Sequence, residues 1–250
     1  MSGLSGKVAL VTGAAGGIGF ATSERLARDG ADVAMVDLNG DAVSRAAESV
    51  ASSTGARTLP IAVDVSNRGQ VVDMAEKIES ELGPVNVLVN AAGILGRGTI
   101  LQISEEQWDR MLDVNLKGPF LVTQAVIEGM VASGYGRIVN LASIAGKKGG
   151  LQAGTHYGAS KGGVLAMTKN LARYLAQFNM TANCVCPSIT DTGMAEQFSD
   201  EVLQILIDDN PFKRLAKPEE VANAIAFLAS EDAGFISAEM LDIDGGYMAD

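Results

Sequence analysis

Short runs of apolar residues alternate along this chain with longer segments in which apolar residues recur every three or four positions. The short runs are rich in β-branched residues and are followed by glycine or polar residues, a pattern typical of buried strands. The longer segments have the spacing of amphipathic helices. The pattern predicts seven strands, at residues 7–12, 32–37, 57–65, 85–90, 136–143, 180–187 and 240–245.

The helices predicted between these strands cover residues 17–29, 40–54, 67–82, 104–132, 156–178 and 218–230. The fourth should bend near Gly118 and Pro119, because proline disrupts a helix interior. Strands that alternate with helices form a parallel sheet covered on both faces. We therefore expect one α/β domain over residues 1–250, of the Rossmann type, with a doubly wound sheet of seven parallel strands.

A long segment at about 188–217 separates the sixth strand from the last helix. It begins at the carboxyl end of a strand, and ligands bind at that edge in open parallel sheets. Loops in this position commonly carry function. The segment is therefore predicted to be a lid over the substrate.

Charge and composition exclude several classes of partner. The chain has 19 Lys and Arg against 30 Asp and Glu, so its formal net charge is -11. Such a charge repels the phosphates of nucleic acids and anionic lipids. No stretch approaches the roughly 18 apolar residues of a membrane span, and the first residues lack the basic and apolar regions of a secretory signal. We expect a cytoplasmic protein that binds neither nucleic acid nor membrane.

The two cysteines, Cys184 and Cys186, lie two positions apart on a predicted strand and have no other Cys or His beside them. This arrangement is a poor zinc site. Buried free thiols suit a reducing compartment. We predict structural cysteines and no bound metal.

Glycines cluster between the first predicted strand and the first predicted helix, in the sequence VTGAAGGIGF. Small residues at such a turn allow the backbone to approach a pyrophosphate, and the helix N-terminus offers unpaired N–H groups to it. A glycine-rich turn alone is a weak signal, since any tight turn can produce one. Its position between a strand and a helix strengthens the prediction of a dinucleotide site.

Asp37 ends the second predicted strand, eighteen positions after Gly19. A carboxylate at about this spacing binds the ribose 2′-hydroxyl of NAD, and it would repel the 2′-phosphate of NADP. No Arg or Lys lies in the neighbouring sequence VDLNGD or in the glycine turn. The sequence therefore favours NAD, although an aspartate that only caps the next helix would look the same.

Tyr157 and Lys161 lie four positions apart at the start of a predicted helix, so their side chains share one face. A cation close to a phenol favours the phenolate. We expect that Lys161 and a cationic nicotinamide ring together make Tyr157 acidic enough to exchange a proton during hydride transfer. On spacing alone, a solvent-facing pair explains the two residues equally well.

From Lys7 to Gly246 the sequence resembles the classical short-chain dehydrogenases/reductases. The resemblance is carried by the glycine turn at residues 12–19, by Asp64-Val65, by Asn90-Ala91-Ala92-Gly93, and by Asn115, Ser143, Tyr157 and Lys161. It implies an NAD(P)-dependent oxidoreductase that interconverts a secondary alcohol and a ketone, usually as a homotetramer.

The resemblance also implies the roles of single residues. Tyr157 would be the general acid and base, and Ser143 would bind the substrate oxygen. Lys161 would hold the nicotinamide ribose and lower the tyrosine pKa. Asn115 would anchor a water that relays the proton. Thr192 would reach the carboxamide. The predicted cofactor contacts are Gly13, Gly16, Gly17, Ile18, Gly19, Asp37, Leu38, Asp64, Val65, Asn90, Ala91, Gly93, Tyr157, Lys161, Pro187, Ile189 and Thr192.

Two departures from the family pattern bear on the substrate side. Ser188 follows Pro187 where glycine is usual, so the backbone beside the nicotinamide has less freedom. Tyr157 follows Ser143 by fourteen positions, about one more than expected, so the intervening loop should bulge.

Candidate substrate residues lie in the loops predicted to flank the pocket. Arg97, Lys147 and Lys148 could bind an anionic group on the substrate, although solvated loop charges are the ordinary explanation. Gln152 and the single histidine, His156, could also reach the substrate. Because His156 directly precedes Tyr157, it should point about 100° away around the helix.

The leading hypothesis is an NAD-dependent dehydrogenase of a small, polar, hydroxylated substrate, such as a sugar, a polyol or an anionic alcohol. The alternative is a 3-oxoacyl-[acyl-carrier-protein] reductase that uses NADPH, since residues 213–230 resemble that branch; Asp37 and the acidic composition argue against it. A dinucleotide sensor without catalysis would not need the four predicted catalytic residues. An epimerase or dehydratase on the same scaffold would need more chain for a larger substrate domain.

Overall fold

A computed structural model describes residues 3–150 and 152–248. Within them, seven strands form one sheet in the order β3-β2-β1-β4-β5-β6-β7, and every pairing is parallel. The predicted domain extends to residues 1, 2, 249 and 250, and the predicted substrate loop includes Leu151, all of which lie outside the described residues. The strands are β1 (Val8–Thr12), β2 (Asp32–Asp37), β3 (Thr58–Ala62), β4 (Val87–Asn90), β5 (Arg137–Leu141), β6 (Thr181–Pro187) and β7 (Met240–Ile243).

Nine α-helices occur in the described part of the chain, and short helical turns of other types adjoin some of them. The 3₁₀ turns are Ala176–Phe178, Ala195–Gln197 and Glu231–Ala233, and a π-helical segment spans Asp113–Lys117. The α-helices are α1 (Gly17–Arg28), α2 (Gly40–Thr54), α3 (Arg68–Glu81), α4 (Glu105–Leu112), α5 (Gly118–Ser133), α6 (Ala145–Lys148), α7 (Thr155–Leu175), α8 (Asp200–Asp209) and α9 (Pro218–Ala229).

Both faces of the sheet are covered, as the uninterrupted apolar strands predict. Successive strand residues point to opposite faces. In β1, Leu10 packs with apolar residues of α3, α5 and α7, whereas Ala9 and Val11 pack with those of α1, α2 and α9. The predicted seven-stranded, doubly wound Rossmann-type fold is therefore confirmed.

The predicted helix 104–132 is wrong in one respect. It is divided into α4 and α5 by the π-helical segment at 113–117, immediately before the predicted bend. Pro119 has no backbone N–H to donate to the carbonyl group of Asn115, so the regular hydrogen-bond ladder is interrupted there. π-helical segments often occur at functional sites, and this one contains Asn115.

Other boundaries differ where local contacts override the sequence pattern. The third strand was predicted to reach residue 65, but β3 ends at Ala62, which pairs with the last residue of β2, its strand neighbour at that edge of the sheet. The loop after β5 holds α6, and the lid holds α8, neither of which the pattern predicts.

Both cysteines are fully buried and free, as expected. The thiol of Cys184 contacts the hydroxyl of Thr168 at 3.0 Å. Across the residues that the structure describes, no helix is both long and apolar enough to cross a membrane, and no cluster of three or more His, Cys, Asp or Glu could hold a metal ion.

Candidate active site

One cavity of about 510 Å³ lies at the carboxyl edge of the sheet, where the chain reverses its direction of progress between β1 and β4. Ligands bind at this switch point in doubly wound sheets. The cavity runs from the glycine turn and Asp37, past Gly93, to Ser143, Tyr157 and Lys161. Its length therefore joins the predicted cofactor turn to the predicted catalytic residues.

The glycine turn is shaped by close backbone contacts. Gly13 has φ +69°, and a Cβ there would lie 2.8 Å from the Cα of Ala92. A Cβ at Gly19 would collide with the carbonyl group of Gly13, so glycine is needed for α1 to pack on the turn. Gly16 precedes α1 and supplies no side chain to cap its first N–H groups. Those N–H groups are available to a pyrophosphate.

Asp37 lies at the end of β2 and lines the cavity. Its carboxylate accepts hydrogen bonds from the backbone N–H groups of Ala15 and Asn39, both at 3.1 Å. Among the described residues that line the cavity, the basic ones are Lys148 and Lys161, which come from the loop after β5 and from α7. No basic residue of the cavity lining comes from the glycine turn or from the end of β2.

Tyr157 and Lys161 lie one turn apart on α7, and both are buried. The Lys161 ammonium lies 5.8 Å from the centre of the Tyr157 ring and donates to the carbonyl oxygen of Leu141 at 2.7 Å. Ser143 follows β5, and its Oγ accepts a hydrogen bond from the backbone N–H of Ala145 at 3.1 Å. The three side chains therefore meet at one end of the cavity.

Burial sets the pKa values of this group. It raises the pKa of Tyr157, and the hydroxyl of Ser143, as a hydrogen-bond partner, opposes that rise. Burial also lowers the pKa of Lys161 to about 8, against the opposing effect of the Cys184 and Cys186 thiols. Lys161 alone therefore does not make the phenol acidic, in agreement with the expectation that a second cation is required.

Asn115, in the π-helical segment, ties the loop after β4 to α7. Its side-chain oxygen accepts from the backbone N–H of Ile94 at 2.8 Å, and its amide donates to the carbonyl oxygen of Ile94 at 2.9 Å. The same amide contacts Oγ of Ser160 at 3.2 Å. A Cβ at Gly93 would lie 3.2 Å from Asn115 Oδ1 and 3.6 Å from Lys161 Nζ, so this glycine leaves space between the two.

Comparison with known proteins agrees with this geometry. A family model described as Enoyl-(Acyl carrier protein) reductase matches residues 13–248. The 3-oxoacyl-[acyl-carrier-protein] reductase FabG of Thermotoga maritima is 39% identical over 246 residues, which cover 97% of this chain and 98% of the relative. The chain belongs to the classical short-chain dehydrogenase/reductase family. It is thus an oxidoreductase of CH–OH groups.

Other members of the family are similar over nearly the whole chain. The (3R)-3-hydroxyacyl-CoA dehydrogenase of Canis lupus familiaris is 41% identical, covering 97% of this chain and 96% of its own. The (2S)-[(R)-hydroxy(phenyl)methyl]succinyl-CoA dehydrogenase subunit BbsD of Thauera aromatica is 38% identical, covering 98% and 97%. The crystal structure of levodione reductase superposes with a TM-score of 0.94 at 29% identity and covers 98% of both chains.

Most of the cofactor residues predicted for this short-chain dehydrogenase line the cavity. Leu38, Asp64, Val65 and Asn90 do not. Leu38 is largely exposed, Asp64 pairs with Arg110 at 3.4 Å, and Val65 and Asn90 are buried. Those in the lining are Gly13, Gly16, Gly17, Ile18, Gly19, Asp37, Ala91, Gly93, Tyr157, Lys161, Pro187, Ile189 and Thr192.

The lid approaches the glycine turn directly. A Cβ added at Gly17 would lie 3.0 Å from Cγ2 of Thr192. Beyond this point the lid lines the far half of the cavity with Met194, Phe198 and residues of α8. The segment predicted as a lid therefore lines the cavity from beside the glycine turn to its far half.

The predicted substrate residues divide into two groups. Lys148 and Gln152 line the cavity, whereas Arg97 is exposed beside it and lies over the ring of Phe198. The expectation that Lys147 contacts the substrate is corrected by the structure. Its ammonium pairs with Asp242 at 2.7 Å and donates to the carbonyl oxygen of Met240 at 2.9 Å. These bonds hold it at β7, away from the cavity lining.

His156 is buried against Gly96 and Gly154, and it is not part of the cavity lining. Tyr157 lines the cavity and His156 does not, as expected for adjacent helix residues that diverge by about 100°. Its Nδ1 has no hydrogen-bond partner among the residues described. His156 therefore packs between the loop after β4 and the loop after β5.

The sequence did not indicate the apolar wall of the substrate half. This wall combines the loop after β4, the loop after β5 and the lid with its helix α8, and its members carry no motif because they are ordinary apolar residues. Tyr247, near the end of the described chain, also lines the cavity. The wall residues are Ile94, Leu95, Ile144, Ala153, Met194, Phe198, Ile205 and Leu206.

Proposed function

We propose that this protein is an NAD-dependent dehydrogenase of secondary alcohols whose substrate carries an apolar chain, with 3-hydroxyacyl thioesters as the substrate class. The observation that carries the proposal is one continuous cavity that begins at Asp37, passes Tyr157 and ends along an apolar wall. A cofactor and a substrate placed end to end in this cavity would meet at Tyr157.

The residues present fit a nicotinamide dinucleotide. The glycine turn would accept the pyrophosphate at the free N-terminus of α1, and Asp37 would accept hydrogen bonds from the adenosine ribose. Lys161, with three donors and no acceptor, suits ribose hydroxyls as well as the Leu141 carbonyl. When bound, the cofactor supplies a ring that accepts or gives a hydride.

The protein's own groups would manage the proton. In the oxidation direction the Tyr157 phenolate accepts the proton of the substrate hydroxyl, and Ser143 donates a hydrogen bond to the substrate oxygen. Lys161 stabilises the phenolate by its charge from within the buried site. Asn115 fixes the backbone at Ile94, and so holds the loop that borders the reacting carbon.

The apolar wall favours a substrate with an acyl chain over the sugar or polyol expected from sequence. A polyol would leave its hydroxyls without partners against Ile144, Phe198 and Leu206, and unpaired buried hydroxyls are costly. An acyl chain would gain from burial there. The names of the relatives that act on hydroxyacyl-CoA and oxoacyl substrates support the same class.

The test is the initial rate of NAD+ reduction with 3-hydroxybutyryl and 3-hydroxyoctanoyl thioesters, with sorbitol and with 2-butanol, each repeated with NADP+. We expect the thioesters to have the highest kcat/KM and NAD+ to be preferred. The highest kcat/KM with the polyol would overturn the substrate class. A preference for NADP+ would overturn the cofactor and return the protein to the alternative of a 3-oxoacyl-[acyl-carrier-protein] reductase.

We also propose a homotetramer located in the cytoplasm, as family resemblance suggests. Phe120 on α5 and Tyr174 on α7 remain about half exposed, and exposed aromatic residues on helices that carry small residues support helix pairing between copies. Light scattering coupled to gel filtration should give four times the 25.9 kDa mass of one chain. A monomeric mass would exclude this assembly.

A further inference from the structure

Two cations stand at the substrate half of the cavity, each over an aromatic ring that lines it. The Lys148 ammonium lies 3.6 Å from the centre of the Tyr247 ring, and the Arg97 guanidinium lies 4.3 Å from the centre of the Phe198 ring. Tyr247 and Phe198 are both lining residues. We call Arg97, Lys148 and these two rings the cationic rim.

The rings orient the cations without neutralising them. A cation over an aromatic face is attracted by the ring quadrupole and retains its full charge. An ammonium has three donors and a guanidinium has five, and a ring face engages few of them. Each cation therefore keeps hydrogen-bond donors for an anion.

Neither cation of the rim has a carboxylate partner within 4.0 Å among residues 3–150 and 152–248. The neighbouring Lys147 differs, because Asp242 holds it. Asp209 of α8 also lines the cavity, so the lining on this side includes one acidic side chain as well as the apolar wall.

Resting on the function proposed above, we propose that the cationic rim selects substrates that carry an anionic group beyond the apolar chain. Anionic groups bind basic side chains through charge-assisted hydrogen bonds, which are stronger than neutral ones. The apolar wall would hold the part of the substrate between this anion and the reacting carbon. Two sources have the required chemistry: the phosphates of a CoA thioester, and a carboxylate at the far end of the acyl chain.

Three thioesters separate these sources. 3-Hydroxybutyryl-CoA carries the phosphates, the N-acetylcysteamine thioester of 3-hydroxybutyrate carries no charge, and the N-acetylcysteamine monothioester of 3-hydroxyglutarate carries a carboxylate. Each is assayed with NAD+ and the wild-type protein, Lys148→Met, Lys148→Arg and Arg97→Met. Lys77→Met, on the exposed side of α3, is the matched control because it removes one positive charge outside the cavity lining.

We expect Lys148→Met and Arg97→Met each to raise KM about tenfold for an anionic thioester, equivalent to about 1.4 kcal/mol. KM for the neutral thioester should not change. Lys148→Arg should keep the wild-type KM, because it keeps the charge. A rise confined to the CoA thioester assigns the rim to phosphates, and a rise confined to the glutarate derivative assigns it to a carboxylate. Equal KM values in all variants for both anionic thioesters would overturn the proposal.

A binding measurement tests the rim independently of turnover. Free CoA and glutarate are titrated calorimetrically into the NADH complexes of the wild type and Lys148→Met. Weaker binding of either anion to the variant supports the rim even if no thioester is oxidised, in which case only the substrate class proposed above fails. No difference between the two proteins for either anion would reject the rim while leaving the dehydrogenase function intact.

Discussion

Asp37 should decide which dinucleotide the protein prefers, and Asp37→Asn isolates its charge. The carboxylate is partly exposed at the cavity edge and already accepts two backbone hydrogen bonds, from Ala15 and Asn39. An asparagine retains one carbonyl oxygen, so it can keep one of these two backbone hydrogen bonds, whereas its NH2 group cannot accept the other. The substitution therefore removes the negative charge and leaves most of the local structure.

The expected change in kcat/KM is worked out separately for NAD+ and for NADP+. A hydrogen bond to a charged acceptor contributes about 1.5–3 kcal/mol, against about 0.5–1.5 kcal/mol for a neutral one. Losing the difference should lower kcat/KM for NAD+ about tenfold. For NADP+, repulsion between the carboxylate and a 2′-phosphate amounts to roughly 1–4 kcal/mol at about 4 Å, depending on solvent screening. Its removal should raise kcat/KM about tenfold, so the NAD+ to NADP+ ratio should fall about 100-fold.

The assay is steady-state kinetics with both cofactors at a saturating concentration of the best alcohol substrate. Asp73→Asn, on the exposed surface of α3, is the control for a loss of one negative charge and should leave the ratio unchanged. Thermal unfolding of Asp37→Asn checks that the turn is intact. If the ratio changes by less than about threefold while the protein remains folded, Asp37 does not bind the ribose, and the argument for NAD fails.

Three further substitutions test the catalytic end. Tyr157→Phe should lower kcat by about 10²–10⁴-fold, while fluorescence titration should show unchanged NADH binding; a small loss of rate would assign the proton transfer elsewhere. Asn115→Ala leaves both backbone groups of Ile94 unpaired, and it should lower the free energy of unfolding in urea by on the order of 2 kcal/mol; an unchanged value would mean that water replaces the side chain. Folding lowers the pKa of Lys161 from 10.5 to about 8, so between these values the unfolded chain holds a proton that the native chain has lost, and this residue's contribution to stability rises with pH. Below about pH 8 that contribution is constant. The free energy of unfolding of the wild type minus that of Lys161→Met should therefore rise from pH 8 to 10, and a flat difference would contradict the lowered pKa.

The fold was predictable because the spacing of apolar residues along the chain reflects which positions are buried. In β1 the consecutive residues Leu10 and Val11 enter the two different cores, and both are fully buried, so apolar residues follow one another without the alternating polar positions of a half-exposed strand. Such a run predicts a strand covered on both faces. The cofactor turn was predictable for a related reason: a glycine such as Gly19 is required where backbone atoms approach too closely for a side chain.

The substrate half was less predictable, because its properties depend on which neighbour a side chain reaches. Lys147 and Lys148 are adjacent and chemically identical, yet one pairs with Asp242 and the other lies over Tyr247. Consecutive helical residues diverge by about 100°, and the sequence gives no indication of which direction faces β7. The apolar wall could not be predicted for another reason. In the sequence, pocket residues such as Leu206 and Phe198 cannot be distinguished from apolar residues of the core.

Hydrogen bonds from side chains to backbone atoms, at the end of β5 and in the loop after β4, hold Lys161 and Asn115 in the site. Lys161 is bonded to the carbonyl oxygen of the last residue of β5, and Asn115 is bonded to both backbone groups of Ile94, which follows β4. The positions of β4 and β5 relative to each other are fixed by their own ladder, in which Asn90 pairs with Asn140. The position of the amine is therefore determined by sheet register, whereas that of the amide depends also on the loop after β4. Because catalysis depends on placement within fractions of an ångström, this arrangement allows the lid and the rim to vary with the substrate while the proton-transfer group stays in place.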